Sequence, residues 1–292
     1  FGPPGSDVGN NGLVIGSHEY ADNGKFTVEI CISDDDTTVC REERIKVKDA
    51  SPVVDAGPDV TLNEGVFMTL APAAFSDSGF DSDTIPSEET FTASIDWGDG
   101  TTEPDADIAF LYSTGSAGTP SIGTIQAFHA YGEYGVYIVT VCVTGDDHDL
   151  DGAIVVWEKG CDTLTATVEN VAPRVDAGDG RSWPEGTFFT LNPTTFDDDG
   201  YTARFTATVD WGDSTTEPAE DVMVITQPAG EGQLKTGYVQ AIHYFSDDGT
   251  YIVETCVNDG RAIVCDTMTV EIFTVDPVLD DPVFLDDGIT FT

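Results

Sequence analysis

Positive charge is what this 292-residue chain has least of: Lys and Arg total 11 against 54 Asp and Glu, for a net charge of −43. A phosphate partner needs a basic footprint, so nucleic acid and anionic membrane surfaces are not expected as partners. No apolar run approaches the roughly 18 residues that would cross a bilayer, so no membrane insertion is expected. No stretch spaces its apolar residues at a helical period. The G-x-S-x-G, H-E-x-x-H and phosphate-loop signatures are missing, and no enzyme activity is expected in this segment. The chain opens on Phe1-Gly-Pro-Pro without Met or a signal peptide, so it reads as a mature or internal segment.

What is present is repetition. Thr92–Asp99 reads TASIDWGD and Thr206–Asp213 reads TATVDWGD. His129-Ala-Tyr-Gly-Glu-Tyr-Gly matches His243-Tyr-Phe-Ser-Asp-Asp-Gly, and a third copy starts at His18. Val53-Val-Asp-Ala-Gly57 recurs as Arg174-Val-Asp-Ala-Gly178, each following a proline. A long fixed period marks an array of equivalent modules. The boundaries are expected at 51–170 and 171–275 for two complete modules. Residues 1–50 hold the closing part of another module, and 276–292 the opening strands of a further one or an inter-subunit strand. Tyr137, Val139, Val141 and Val143 alternate with polar residues, as do Tyr251, Val253 and Val257, and Phe26, Val28 and Ile30. Such period-2 patterning predicts half-buried strands, and many short strands per module predict an all-β sandwich.

The six cysteines fall in pairs, Cys31/Cys40, Cys142/Cys161 and Cys256/Cys265, one pair per repeat. In each, the first ends an alternating strand and the second begins the next. Their parity opposes that of the core-facing residues, which predicts a disulfide stapling each hairpin on its solvent face. Disulfides in turn predict an oxidising, extracellular setting, at the cell surface or secreted.

Trp97-Gly-Asp-Gly100, the His-x-Tyr/Phe ahead of a Gly-x-Tyr-x-Val strand, and the Val-Asp-Ala-Gly opening together resemble polycystic-kidney-disease (PKD) repeats. Nearly the whole chain takes part, although Trp211-Gly-Asp-Ser214 departs at the last glycine. The resemblance implies tandem immunoglobulin-like β-sandwiches of an extracellular protein.

Carboxylates this dense repel one another unless salt screens them or cations bind. The interval between Cys142 and Cys161 carries an insertion, Asp147-His-Asp149-Leu-Asp151-Gly152 through Glu158. Its D-x-D-x-D-G-x5-E spacing is that of a calcium loop, which places Asp147, Asp149, Asp151 and Glu158 as calcium ligands. Asp197-Asp-Asp199-Gly aligns with Ser76-Asp77-Ser-Gly, where some PKD repeats hold calcium, so Asp197, Asp199 and Asp77 are further candidates. His18, His129 and His243 share one repeat position, which points to a structural hydrogen bond. Trp97 and Trp211 are expected in the core, with Trp183 replacing Leu62. Trp157, Tyr112 and Tyr201 are the aromatics available for an exposed contact. The expected function is a structural or adhesive repeat segment of a long surface protein or filament, stiffened by disulfides and calcium. Its expected partners are neighbouring copies head-to-tail or further repeats of the same polypeptide. The alternative is the polysaccharide-binding accessory repeats of a secreted hydrolase, touching a polysaccharide or cell-surface ligand.

Overall fold

In the computed structural model the described residues are 12–82, 89–103, 108–145, 158–217 and 222–275. Every regular element among them is a strand. The first pair, β1 (Gly24–Ser33) and β2 (Thr38–Val47), forms a two-stranded antiparallel sheet with Cys31 directly opposite Cys40.

The next strands are β3 (Val53–Asp55), β4 (Val60–Asn63), β5 (Phe67–Asp77), β6 (Phe91–Asp96) and β7 (Thr102–Glu103). They are followed by β8 (Ala109–Ser113), β9 (Ser121–Ala130), β10 (Gly135–Gly145) and β11 (Lys159–Glu169). One sheet runs β3-β5-β9-β8 and the other β4-β11-β10-β6-β7.

The set then repeats as β12 (Arg174–Asp176), β13 (Arg181–Pro184), β14 (Phe188–Asp198), β15 (Thr206–Asp210) and β16 (Thr216–Glu217). It closes with β17 (Met223–Thr226), β18 (Lys235–Tyr244), β19 (Gly249–Asn258) and β20 (Ile263–Phe273). The orders β12-β14-β18-β17 and β13-β20-β19-β15-β16 reproduce those of the preceding set. An opening strand split between the two sheets, with its second half parallel to the last strand, is the immunoglobulin-like arrangement.

Alternation explains why these strands bury one face. In β19, Val253, Thr255 and Val257 point inward while Ile252 and Glu254 face out. Val253 and Val257 join Trp211, Phe189, Leu191 and Phe245 in one apolar core. Trp97 and Trp211 are fully buried, as expected; Trp183 is half-buried, edge-on to Phe189 at 5.7 Å. The register of β14 shifts between Leu191 and Thr194, across Pro193, which has no N–H to give the ladder.

All three disulfides are formed with the predicted partners. Their placement needs one correction. Cys31, Cys40, Cys161 and Cys265 are exposed, but Cys142 is buried at 5%. Its strand lies between β11 and β6, whereas among the described residues β1 pairs with β2 alone. A second correction concerns β1–β2, where Ile30, expected to face a core, is exposed, as is Ile45 on the paired strand. No second sheet faces that hairpin among the described residues, so alternation there marks a face without a cover.

The chain divides into two compact units. One comprises residues 1–60, 69–129 and 136–166; the other comprises 61–68, 130–135 and 167–292. The second unit thus takes in one end of the sandwich built from β3 to β11, namely the Asn63-Glu64-Gly65 turn and the loop before β10.

Candidate metal centre

Many of the described aspartates accept hydrogen bonds from backbone N–H groups of nearby turns. Asp96 and Asp210 accept from Gly98 and Gly212, each at 2.9 Å. Asp55 and Asp176 accept from Gly57 and Gly178, while Asp162 and Asp266 accept from Ala56 and Ala177. The Val-Asp-Ala-Gly opening is therefore pinned by the aspartate that follows each second cysteine, in β11 and in β20. Asp34, at the first hairpin tip, accepts from the backbone of Asp36 and Thr37.

Behind the Trp-Gly-Asp turn the repeated histidine completes a buried stack. His129 Nε2 lies 2.9 Å from Asp99 Oδ2 and its ring stacks on Trp97; His243 does the same with Asp213, at 2.7 Å, and Trp211. These two histidines are structural, as expected. Burial alone would raise the Asp99 and Asp213 carboxyls, but hydrogen bonds from Thr101 and Thr215 and from the histidines outweigh it and hold both below the ordinary range. Ser214 adopts the left-handed φ of 76° where Gly100 has 94°, so the turn survives the glycine's replacement.

The insertion loop with Asp147, Asp149, Asp151 and Trp157 lies outside the described residues. Glu158, at its end, accepts a hydrogen bond from Ser51 Oγ at 3.0 Å. Asp197 and Asp199 do not converge on open space: both are ion-paired with Arg174, through Nε and Nη1. The residue between them, Asp198, points the opposite way and is 0% exposed. Asp77, its repeat equivalent, is also buried, and burial followed by the nearby Asp49 raises its carboxyl.

Asp198 is the centre of the most unusual polar cluster in the second unit. Its Oδ1 accepts from Gly200 N at 2.7 Å, and its Oδ2 is buried without a hydrogen-bond partner. Glu64, 1% exposed, accepts from Val171 N at 2.7 Å through Oε1, and its Oε2 is likewise buried without a hydrogen-bond partner. Both line the space over Gly200, where a methyl group would fall 2.9 Å from Glu64 Oε2 and 3.0 Å from Asp198 Oδ1. Asp259, 6% exposed, accepts from Arg261 N, Ala262 N and Asn170 Nδ2. Burial, then the charges of Asp198, Glu133 and Asp259, push Glu64 up to about 7. Burial, then Asp259, Asp199 and Glu133, push Asp198 up to about 6. Tyr201 and Thr202 tie this cluster to the loop before β10, donating from Oη to Ala130 O at 2.6 Å and from N to Gly132 O at 3.0 Å.

The pattern has echoes at two other places. Glu89 packs against Gly79, two residues past Asp77, in a cleft shared with Asp22 and Asp49. At the far end of the last sandwich Glu185, Asp247 and Asp248 have carboxylate oxygens all within 4.8 Å of one another. Glu185 and Asp247 are the repeat equivalents of Glu64 and Glu133, down to the hydrogen bond from Val275 N to Glu185 Oε1.

Sequence reasoning named Asp197, Asp199 and Asp77 as candidates and did not single out the acidic side chains of Glu64, Glu133, Asp198 and Asp259. The signal was partly visible: Asp77 aligns with Asp198, and Glu-Gly recurs at Glu64-Gly65 and Glu185-Gly186.

No protein-family model and no curated protein matches the chain. Solved structures do. "Rst D1-D2" is 13% identical over 77% of this chain and 100% of its own, with a TM-score of 0.37. Zebrafish RET cadherin-like domains 1 to 4 are 11% identical over 85% of this chain and 58% of their own, with a TM-score of 0.30. An endo-fucoidan hydrolase of glycoside hydrolase family 107 is 12% identical over 88% of this chain and 35% of its own, with a TM-score of 0.26.

Proposed function

We propose that the chain is a structural or adhesive segment of an extracellular array of PKD-like sandwich modules, stiffened by disulfides and calcium and without catalytic activity. One observation carries this reading: module ends repeat as well as module cores. The Glu64-Gly65 turn and the loop at Glu133 are built into the compact unit that contains Asp198, Asp259 and Tyr201. The matching end at Glu185 and Asp247 carries Phe188, 70% exposed, and the exposed Tyr244 beside it. Apolar surface of that kind beside an acidic cluster suits the loops of another module of the same type, in this polypeptide or a neighbouring copy. The bare face of the β1–β2 hairpin, with Ile30, Ile32, Val39 and Ile45, suits the missing half of a sandwich in the same way.

The polysaccharide reading gains less support. Tyr201 is engaged through its hydroxyl, and Tyr112 packs edge-on against Phe91 at 5.3 Å. Incubation of the 292-residue chain with cellulose and chitin, alongside electron microscopy at high protein concentration, separates the two. Association into end-to-end assemblies with no polysaccharide retention supports the array. Retention on polysaccharide by a chain that stays monomeric overturns it.

A further inference from the structure

We infer that residues 283–292 of a second copy of this chain dock along the outer edge of β2 and over the apolar face of the β1–β2 hairpin, so that one copy supplies an opening strand to the next. The inference deepens the reading of an end-to-end array and rests on it. The hairpin is built like the last two strands of a complete module: Cys31 faces Cys40 as Cys256 faces Cys265. Its inward positions are nevertheless open. Ile30, Ile32 and Ile45 are exposed, whereas Val141, Val143 and Ala166 at the same positions of the first complete sandwich are all 0% exposed. The second complete sandwich buries Thr255, Val257 and Val270 there just as fully. Among the described residues β2 pairs with β1 alone, whereas β20 also holds β13 on its other side. An apolar face beside an unpaired backbone edge is what an added strand recognises.

The sequence names the strand that fits. Residues 283–292 lie outside the described residues and read VFLDDGITFT, matching VTLNEGVFMT from Val60 and RSWPEGTFFT from Arg181. Those two stretches are β4 and β13, each with the turn that leads into β5 or β14. β13 runs parallel to β20, with Arg181 opposite Val270 and Trp183 opposite Ile272. Carried to the hairpin, this register sets Val283 opposite Ile45, Leu285 opposite Val47 and Asp286 opposite Lys48. Leu285 and Phe291 then take the places of Trp183 and Phe189, which meet edge-on at 5.7 Å in the complete module. Both complete sandwiches fix this turn by a backbone hydrogen bond, from Glu64 N to Glu169 O and from Glu185 N to Phe273 O. The equivalent pair is Asp287 N and Lys48 O. Charge favours the same docking. Residues 38–48 carry four Lys and Arg against two Glu in a chain of net charge −43, and residues 276–292 carry five Asp with no Lys or Arg. A head-to-tail contact of this kind propagates from copy to copy.

The test uses the 292-residue chain and two variants at physiological ionic strength, where repulsion between copies is screened beyond about 8 Å. Leu285→Asp spoils the donated strand, and Ile45→Asp places a charge on the receiving face, at a side chain that is already exposed. Analytical ultracentrifugation should show wild type assembling as its concentration rises, and each variant alone needing at least tenfold more protein to do so. An equimolar mixture of the two variants should form dimers and stop there, because each dimer joins the one intact strand to the one intact face. A synthetic peptide of residues 278–292 in excess should hold wild type as a monomer, and the same peptide carrying Leu285→Asp should not. Assembly of both variants at wild-type concentrations overturns the strand exchange and leaves the array to another contact. A mixture that stays monomeric overturns it as well, as does a wild type that remains monomeric at every concentration. The array reading itself falls only if that monomer is retained on cellulose or chitin. Should either variant unfold by circular dichroism, the two peptides decide alone.

Discussion

At the scale of single residues, acidity in this chain is spent in two ways. Most of the described aspartates have backbone N–H groups or a histidine to satisfy them, while Glu64 and Asp198 are buried with one oxygen each unmatched. The satisfied class makes a definite pH prediction. Asp99 and Asp213 are held below their ordinary 3.8, so their contribution is complete above that value and lost as pH falls through the lower, folded value. Both complete modules should therefore lose stability as pH falls below about 4, through the lowered folded-state values of these two carboxyls. His243→Gln should cost about 1–3 kcal/mol at neutral pH and flatten part of that acid dependence, measured by urea denaturation across the range. An unchanged acid limb in His243→Gln would remove the Trp–His–Asp stack as its source.

At the scale of elements, two glycines in equivalent turns separate backbone strain from packing. Gly65 and Gly186 both have left-handed φ, 73° and 70°. An alanine at 65 would also collide with the Asp199 carbonyl, whereas at 186 the nearest atom is Tyr244 Oη at 3.7 Å. Gly186→Ala should therefore cost about 1 kcal/mol, the price of left-handed backbone alone. Gly65→Ala should cost clearly more, because the Glu64 turn must shift; equal costs in thermal melts would deny the turn that packing role. The disulfides offer a second element-scale test. Loops of sequence separation 9, 19 and 9 predict about 2.7, 3.3 and 2.7 kcal/mol of stabilisation on the chain-entropy model, so reduction should lower both complete modules by similar amounts. Denaturation with and without a phosphine reductant measures it.

At the scale of the whole molecule the dominant quantity is the net charge of −43. Repulsion among exposed carboxylates is long-ranged at low salt and screened beyond about 8 Å at physiological ionic strength. Sodium chloride should therefore raise the melting temperature of wild type, Glu64→Gln and Asp198→Asn alike. If calcium stiffens the array, micromolar-to-millimolar calcium should add a further increase beyond that of sodium chloride. Differential scanning calorimetry in the two salts at matched ionic strength distinguishes them, and identical curves would reduce every cation effect to screening.

Period-2 alternation, the repeated Trp-Gly-Asp and Val-Asp-Ala-Gly segments and the paired cysteines determined the all-β class, the sandwich pattern and the disulfide partners from sequence alone. They could do so because strand parity and hairpin pairing are local: Cys31 faces Cys40, and Cys256 faces Cys265, through a register set within a single hairpin. Local patterning could not say which carboxylates lose their water. Asp197, Asp198 and Asp199 are indistinguishable in sequence, yet two of them meet Arg174 in the folded chain while the middle one is buried against Glu64. Ile30 and Cys142 show the same limit for burial, since exposure depends on whether another strand or sheet lies alongside. Tertiary structure alone brought Glu64 and Asp198 together over Gly200, because they lie far apart in the chain and their approach depends on how separate strand ends pack.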